Sequence, residues 1–205
     1  MPTAAFHQAL PFILRWEGGF VDDPDDPGGR TNKGVTQKTY DSWRARQGLP
    51  ARDVKGIDAA EVAAIYEQDY WLPPGCDRLP APLDLVQLDT AVNMGVKRSI
   101  RILQAALDSA SSGVFDAQTE AAVAAVDAGV AAAGYCDVRE GVYESLIEKN
   151  AKLAKFRNGW LNRLNALRKE AGVPGFESAR GMESFPGAIA RIPDLRDSDT
   201  LERWR

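Results

Sequence analysis

Residues 17–36, Glu-Gly-Gly-Phe-Val-Asp-Asp-Pro-Asp-Asp-Pro-Gly-Gly-Arg-Thr-Asn-Lys-Gly-Val-Thr, constrain the fold of this chain more than any other stretch. Pro24 and Pro27 fix φ and remove backbone donors, and glycines recur on both sides of them. Such a segment is neither helix interior nor central strand, and leaves room at most for a small β-hairpin. Glu17 falls where the preceding helix stops, because Gly18 and Gly19 offer a left-handed C-cap. Trp16 and Phe20 flank it and reduce its contact with water. An acid so placed, followed closely by carboxylates and small hydroxyls, has the equipment for glycosidic bond cleavage. The plainer reading is a surface glutamate after a helix.

The rest of the chain reads as helices. Phe6, Leu10, Ile13 and Leu14 give Thr3–Trp16 one apolar face, with Pro11 either kinking it or starting a shorter helix. Thr36 caps a helix running through Arg46. Asp58-Ala-Ala-Glu61 is a capping box, and Val62, Ile65, Tyr66 and Tyr70 continue one face behind it. Residues 72–82 carry four prolines and form a connector between two halves. Helices are expected near Leu83–Asn93, Val96–Asp108, Asp116–Ala128 and Val130–Leu146, with a last one near Lys149–Ala171. The sequence after Gly172 fills with Gly, Pro and balanced charge, and reads as a tail.

A formal net charge of −4 argues against a nucleic-acid partner, whose binders show basic stripes. One histidine, His7, and two cysteines, Cys76 and Cys136, make no spacing suited to a metal, so no metal or cofactor is expected. His7 is read as a packed or surface residue, and the cysteines as free buried thiols rather than a pair. No apolar run approaches the roughly 20 residues a membrane span needs. The N-terminus lacks a basic region followed by an apolar one, so no standard secretory signal is expected.

The acidic loop needs sorting. Asp22, Asp23, Asp25 and Asp26 crowd a Pro-bounded turn, and turn chemistry accounts for most of them. The alternating ligands and closing glutamate of a helix-loop-helix calcium site are absent, as is the Gly-Lys-Ser/Thr ending of a phosphate loop. Gly28, Gly29 and Gly34 either admit a ligand close to the backbone or make tight turns. Thr31 and Thr36 either hold a water or a carboxylate, or act as turn and cap residues.

Taken together, Glu17-Gly18-Gly19, Asp26-Pro27-Gly28-Gly29, Thr31, Asn32, Gly34 and Thr36, in this order and spacing, resemble the N-terminal motif of glycoside hydrolase family 108. These are lysozyme-like N-acetylmuramidases, also described as secretion-activator proteins, and they include phage endolysins. Further matches are Asp89-Thr-Ala-Val-Asn93-Met-Gly95, Leu103-Gln104, Tyr135, Arg139, Tyr143 and Phe156-Arg-Asn-Gly159-Trp160. They look like the helical peptidoglycan-binding region that accompanies the catalytic part. Ser112-Gly113-Val114-Phe115-Asp116 and Met94 depart from the family pattern.

The resemblance implies a mainly α, lysozyme-like fold with at most a small β-hairpin at the active-site loop. It implies a catalytic part at 1–80, a peptidoglycan-binding part at 81–171 and a tail at 172–205. Glu17 becomes the general acid. Asp26 is the best second carboxylate, with Asp25 its closest competitor. Thr31 is the first-choice hydroxyl and Thr36 the next. Asn32 and Gly34, with Asn93 and Tyr143 from the second half, are expected to line a groove for a peptidoglycan glycan strand. Tyr70, Trp71 and Trp160 are apolar enough to be core. The protein is expected to be a monomer, made in the cytoplasm and released to the cell wall by a holin or a secretion route. A lytic transglycosylase and a non-catalytic wall-binding protein are the rival readings.

Overall fold

The computed structural model describes residues 3–22, 29–174 and 192. Eight α-helices and one two-stranded antiparallel sheet make up the regular structure of these residues, together with short 3-10 and π turns. The fold is thus mainly α and lysozyme-like, with a small hairpin in the expected loop. The chain divides into two compact units, the first running to Asp69 and the second beginning at Tyr70.

In the first unit, α1 (Ala4–Trp16) starts at Thr3, whose hydroxyl accepts from Phe6 N at 3.3 Å. Phe6, Ala9, Leu10, Phe12 and Ile13 are its buried face, and Leu14 is only half-buried. Pro11 lies on the exposed side, within one uninterrupted helix. His7 is exposed. The strands β1 (Thr31–Asn32) and β2 (Val35–Thr36) pair with Thr31 opposite Thr36 and Asn32 opposite Val35. That register leaves Lys33 and Gly34 as a two-residue loop, both at positive φ (50° and 75°), as tight hairpins prefer. Then follow α2 (Gln37–Arg46), a 3-10 turn (Val54–Gly56) and α3 (Ala59–Tyr66), which begins with the expected capping box.

The apolar face of α3 does not run on to Tyr70. The chain widens into a π turn at Glu67–Trp71, and the extra residue rotates the inward position by one. Trp71 is therefore fully buried and Tyr70 only half-buried.

The second unit is built around α4 (Leu83–Met94), which is buried on nearly every side. Around it stand α5 (Val96–Ala106) and α7 (Ala128–Lys149), and α7 in turn packs on α8 (Arg157–Glu170). The proline-rich connector belongs here: Gln87 donates to Pro74 O at 3.1 Å, and Cys76 in the 3-10 turn Cys76–Arg78 is buried. The compact units divide ahead of this connector.

Three helix boundaries differ from expectation. The helix α6 stops at Ala124, because Asp127 accepts from Gly129 N and Val130 N and starts α7 afresh. The helix α5 ends at Ala106, followed by Asp108 at a φ of 54°. The long last helix is two elements: Asn150 accepts from Lys152 N and opens a 3-10 stretch, Ala151–Phe156, ahead of α8. Cys76 and Cys136 are both free and buried. Trp160 is buried as expected.

Candidate active site

Glu17 is the C-cap residue of α1, with Gly18 at a φ of 71° ending the helix behind it. The carboxyl turns toward the hairpin. A methyl group on Gly34 would lie 2.8 Å from Glu17 Oε2 and 3.1 Å from Glu17 Cβ, and would collide with the Tyr66 hydroxyl. Gly34 is therefore glycine for two reasons, its positive φ and this close approach. Glu17 is half-buried, while the neighbouring Trp16 is 37% exposed. Phe20 is covered on its faces by cations, Arg30 at 5.7 Å and Lys55 at 5.4 Å from the ring centroid.

The stretch after Glu17 is stitched to the hairpin. Val21 and Thr31 exchange backbone hydrogen bonds at 2.8 and 2.9 Å. Arg30 binds Asp53 at 2.6 Å and Asp22 at 3.3 Å. The Lys55 backbone N–H, followed by Arg30, holds the Asp53 carboxyl below its ordinary value. The expected second carboxylate, Asp26, lies outside the described residues, as does Asp25.

The other expected residues of the first half have defined partners. The Thr31 hydroxyl donates to Gly29 O at 3.1 Å. The Thr36 hydroxyl is the N-cap of α2, accepting from Thr39 N at 3.1 Å and lying 3.0 Å from the Thr39 hydroxyl. The buried Asn32 amide donates to Val54 O and Lys55 O, both at 3.2 Å, and so ties β1 to the 3-10 turn. Of these residues, Gly34 touches Glu17 directly, whereas Thr36 and Asn32 set the frame that holds the hairpin.

Asn93 and Tyr143 belong to the interior of the second unit. Tyr143 is fully buried, donates to Asn93 Oδ1 at 2.8 Å and stacks on Trp160 with centroids 4.9 Å apart. Its ring lies in the core of the second unit. Arg139 donates to the Tyr143 oxygen at 2.9 Å, to Asp89 at 2.6 Å and to Thr90 at 3.0 Å. Arg163 closes on the other Asp89 oxygen at 2.9 Å. Burial alone would push the Asp89 carboxyl up, but Arg163 and Arg139 outweigh it and hold it below its ordinary value. Burial pushes the Tyr143 phenol up, with Arg139 opposing.

One residue at the site was not legible in advance. Tyr66 reads in sequence as one more apolar position of α3, yet its hydroxyl donates to Lys33 O at 2.9 Å, beside Gly34. The available signal was general: a buried tyrosine hydroxyl needs an acceptor. No group of three or more His, Cys, Asp or Glu gathers among the described residues in a way that would hold a metal.

The fold is mainly helical and lysozyme-like, with the Glu17 carboxyl seated between a helix end and a β-hairpin. The glycosyl hydrolase 108 family matches residues 10–95, which include Glu17, the hairpin and Tyr66. Among solved structures, that of Brucella abortus SagA is 30% identical, covers 93% of this chain and 97% of its own, and superposes with a TM-score of 0.65. No curated protein matches the chain. The chain belongs to the glycosyl hydrolase 108 family.

Proposed function

We propose that this chain is a peptidoglycan hydrolase that cleaves the β-1,4 bond between N-acetylmuramic acid and N-acetylglucosamine. Glu17 is the general acid that protonates the leaving oxygen. The observation that carries this reading is the half-buried Glu17 carboxyl at the end of α1, seated against Gly34 of the hairpin inside the part matched by the family. A carboxyl so held has a restricted set of positions, which favours proton transfer to an oxygen placed beside it.

Asp26 is the proposed second carboxylate, activating water or stabilising the positive charge that develops on the sugar. If it acts as a base from the opposite face, its carboxyl stands roughly 6.5–9.5 Å from that of Glu17 and the reaction inverts the anomeric centre. Thr31, half-buried on β1, is the better candidate for a hydroxyl at this site, since that of Thr36 is used in capping α2. A peptidoglycan substrate implies that the enzyme works at the cell wall.

Glu17→Gln keeps the shape of the side chain and removes the proton donor. It is expected to lower turnover on purified cell walls about a hundredfold or more, with folding unchanged. Near wild-type lysis by this variant would remove Glu17 from the role. Mass spectrometry of the muropeptides released by the wild type is expected to show reducing ends. Anhydro ends would instead make the protein a lytic transglycosylase.

A further inference from the structure

Three segments distant in sequence meet at Gly34: the end of α1 brings Glu17, the hairpin tip brings Lys33 and Gly34, and the last residue of α3 is Tyr66. Lys33 is one of only two non-glycine residues at positive φ among those described, and a lysine in that conformation is strained. Its carbonyl is the acceptor of the Tyr66 hydroxyl at 2.9 Å. That bond secures the strained tip. Tyr66 is 1% exposed, so the ring is locked in the core of its unit and the hydroxyl has little freedom to swing away.

We infer that Tyr66 is a positioning residue for Glu17: its hydroxyl pins the hairpin tip through the Lys33 carbonyl and, with the bare Cα of Gly34, forms the wall against which the Glu17 carboxyl rests. The glycine matters because any side chain there would occupy the space the carboxyl and the hydroxyl share. The tyrosine matters because phenylalanine would fill the same core volume but leave the Lys33 carbonyl without this donor. The hairpin tip would then be free to relax, and the carboxyl would lose its fixed stop. The inference rests on the reading of Glu17 as the general acid, but its structural half does not depend on that reading.

The decisive experiment uses the full chain with Tyr66→Phe. Turnover on purified walls is expected to fall about tenfold or more with KM within twofold, as displacement of a proton donor by a fraction of an ångström does. In protein labelled with carbon-13 at glutamate side-chain carboxyls, the Glu17 resonance is identified by its loss in Glu17→Gln. Tyr66→Phe is expected to move that resonance, a change that general loosening elsewhere does not produce. An unmoved Glu17 resonance, or wild-type turnover, overturns the inference. Retained activity in Glu17→Gln overturns the acid assignment instead, and the two failures are thereby distinct. Should Tyr66→Phe not fold, Gly34→Ala supplies the same measurement from the other side of the contact. The added methyl is expected to displace the Glu17 resonance and lower turnover, and an unmoved resonance there sinks the proposal equally.

Discussion

Asp89 shows what a single residue does in the second unit. It is wholly buried and receives Arg139 at 2.6 Å and Arg163 at 2.8 Å. Removing one partner from such a cluster leaves charge stranded out of water, which costs more than the cluster contributes net. Asp89→Asn is expected to lower stability by about 3–5 kcal/mol, read from urea denaturation. Tyr143→Phe tests a different claim. Its hydroxyl bridges Arg139 and Asn93, so the expected loss is about 1 kcal/mol of stability with KM for cell walls unchanged. A raised KM at unchanged stability would put Tyr143 on the substrate instead. The sequence displays all of these polar residues, and α4 and α7 carry them at helical spacing. Periodicity tells which face a residue takes, not which partner waits some fifty residues away. The hydrogen bond from Tyr143 to Asn93 is of this kind, and spacing alone does not announce it. The place of Glu17 at the end of α1 was legible because a helix stop is local, and the Tyr66 hydrogen bond was not because its acceptor sits on another element.

Among the elements, those with local punctuation were legible and those held by distant side chains were not. The capping box of α3, the hairpin and the cap of α2 all follow from residues within a few positions of one another. By contrast, the loop between α5 and α6 is shaped by Gln104, buried at the end of α5. Its amide nitrogen shares its two protons among Ser112 at 2.9 Å, Val114 O at 3.0 Å and Thr119 at 2.9 Å, and its oxygen accepts from Gly113 N at 2.9 Å. Apolar periodicity likewise carried the last helix straight through Asn150, where a single side-chain cap breaks it. Thr36 is where element and chemistry compete for one hydroxyl. As an N-cap, Thr36→Ala is expected to cost about 1 kcal/mol, whereas Thr36→Ser keeps both the cap and the activity. Thermal unfolding and wall turnover measured on the same two variants check this. If Thr36→Ala kept full stability and lost turnover, the hydroxyl would belong to the reaction and not to α2.

At the scale of the molecule, carboxylates with depressed values make stability depend on acid. Asp53, Asp58 and Asp116 are lowered first by backbone N–H groups, those of Lys55, Glu61 and Thr119, and Asp89 by its two arginines against its burial. Asp84 goes the other way, raised by burial. An unfolded aspartate titrates near pH 3.9, and a folded one held lower keeps its charge to more acid pH. Its stabilising contribution is therefore complete above about pH 5 and is lost as pH falls through the folded value, because the unfolded chain binds the proton first. Asp84 contributes the opposite sign, a destabilisation relieved as the pH falls. Asp53, Asp58 and Asp116 lie in solvent, where screening weakens their share, so the buried Asp89 dominates the slope. Urea denaturation at pH 7, 5, 4 and 3 is expected to show stability nearly level to about pH 5 and then falling steeply. Asp89→Asn cannot take up a proton at that position, so its curve starts lower and falls less. Parallel curves for the two proteins would shift the acid sensitivity from the core of the second unit to the surface carboxylates.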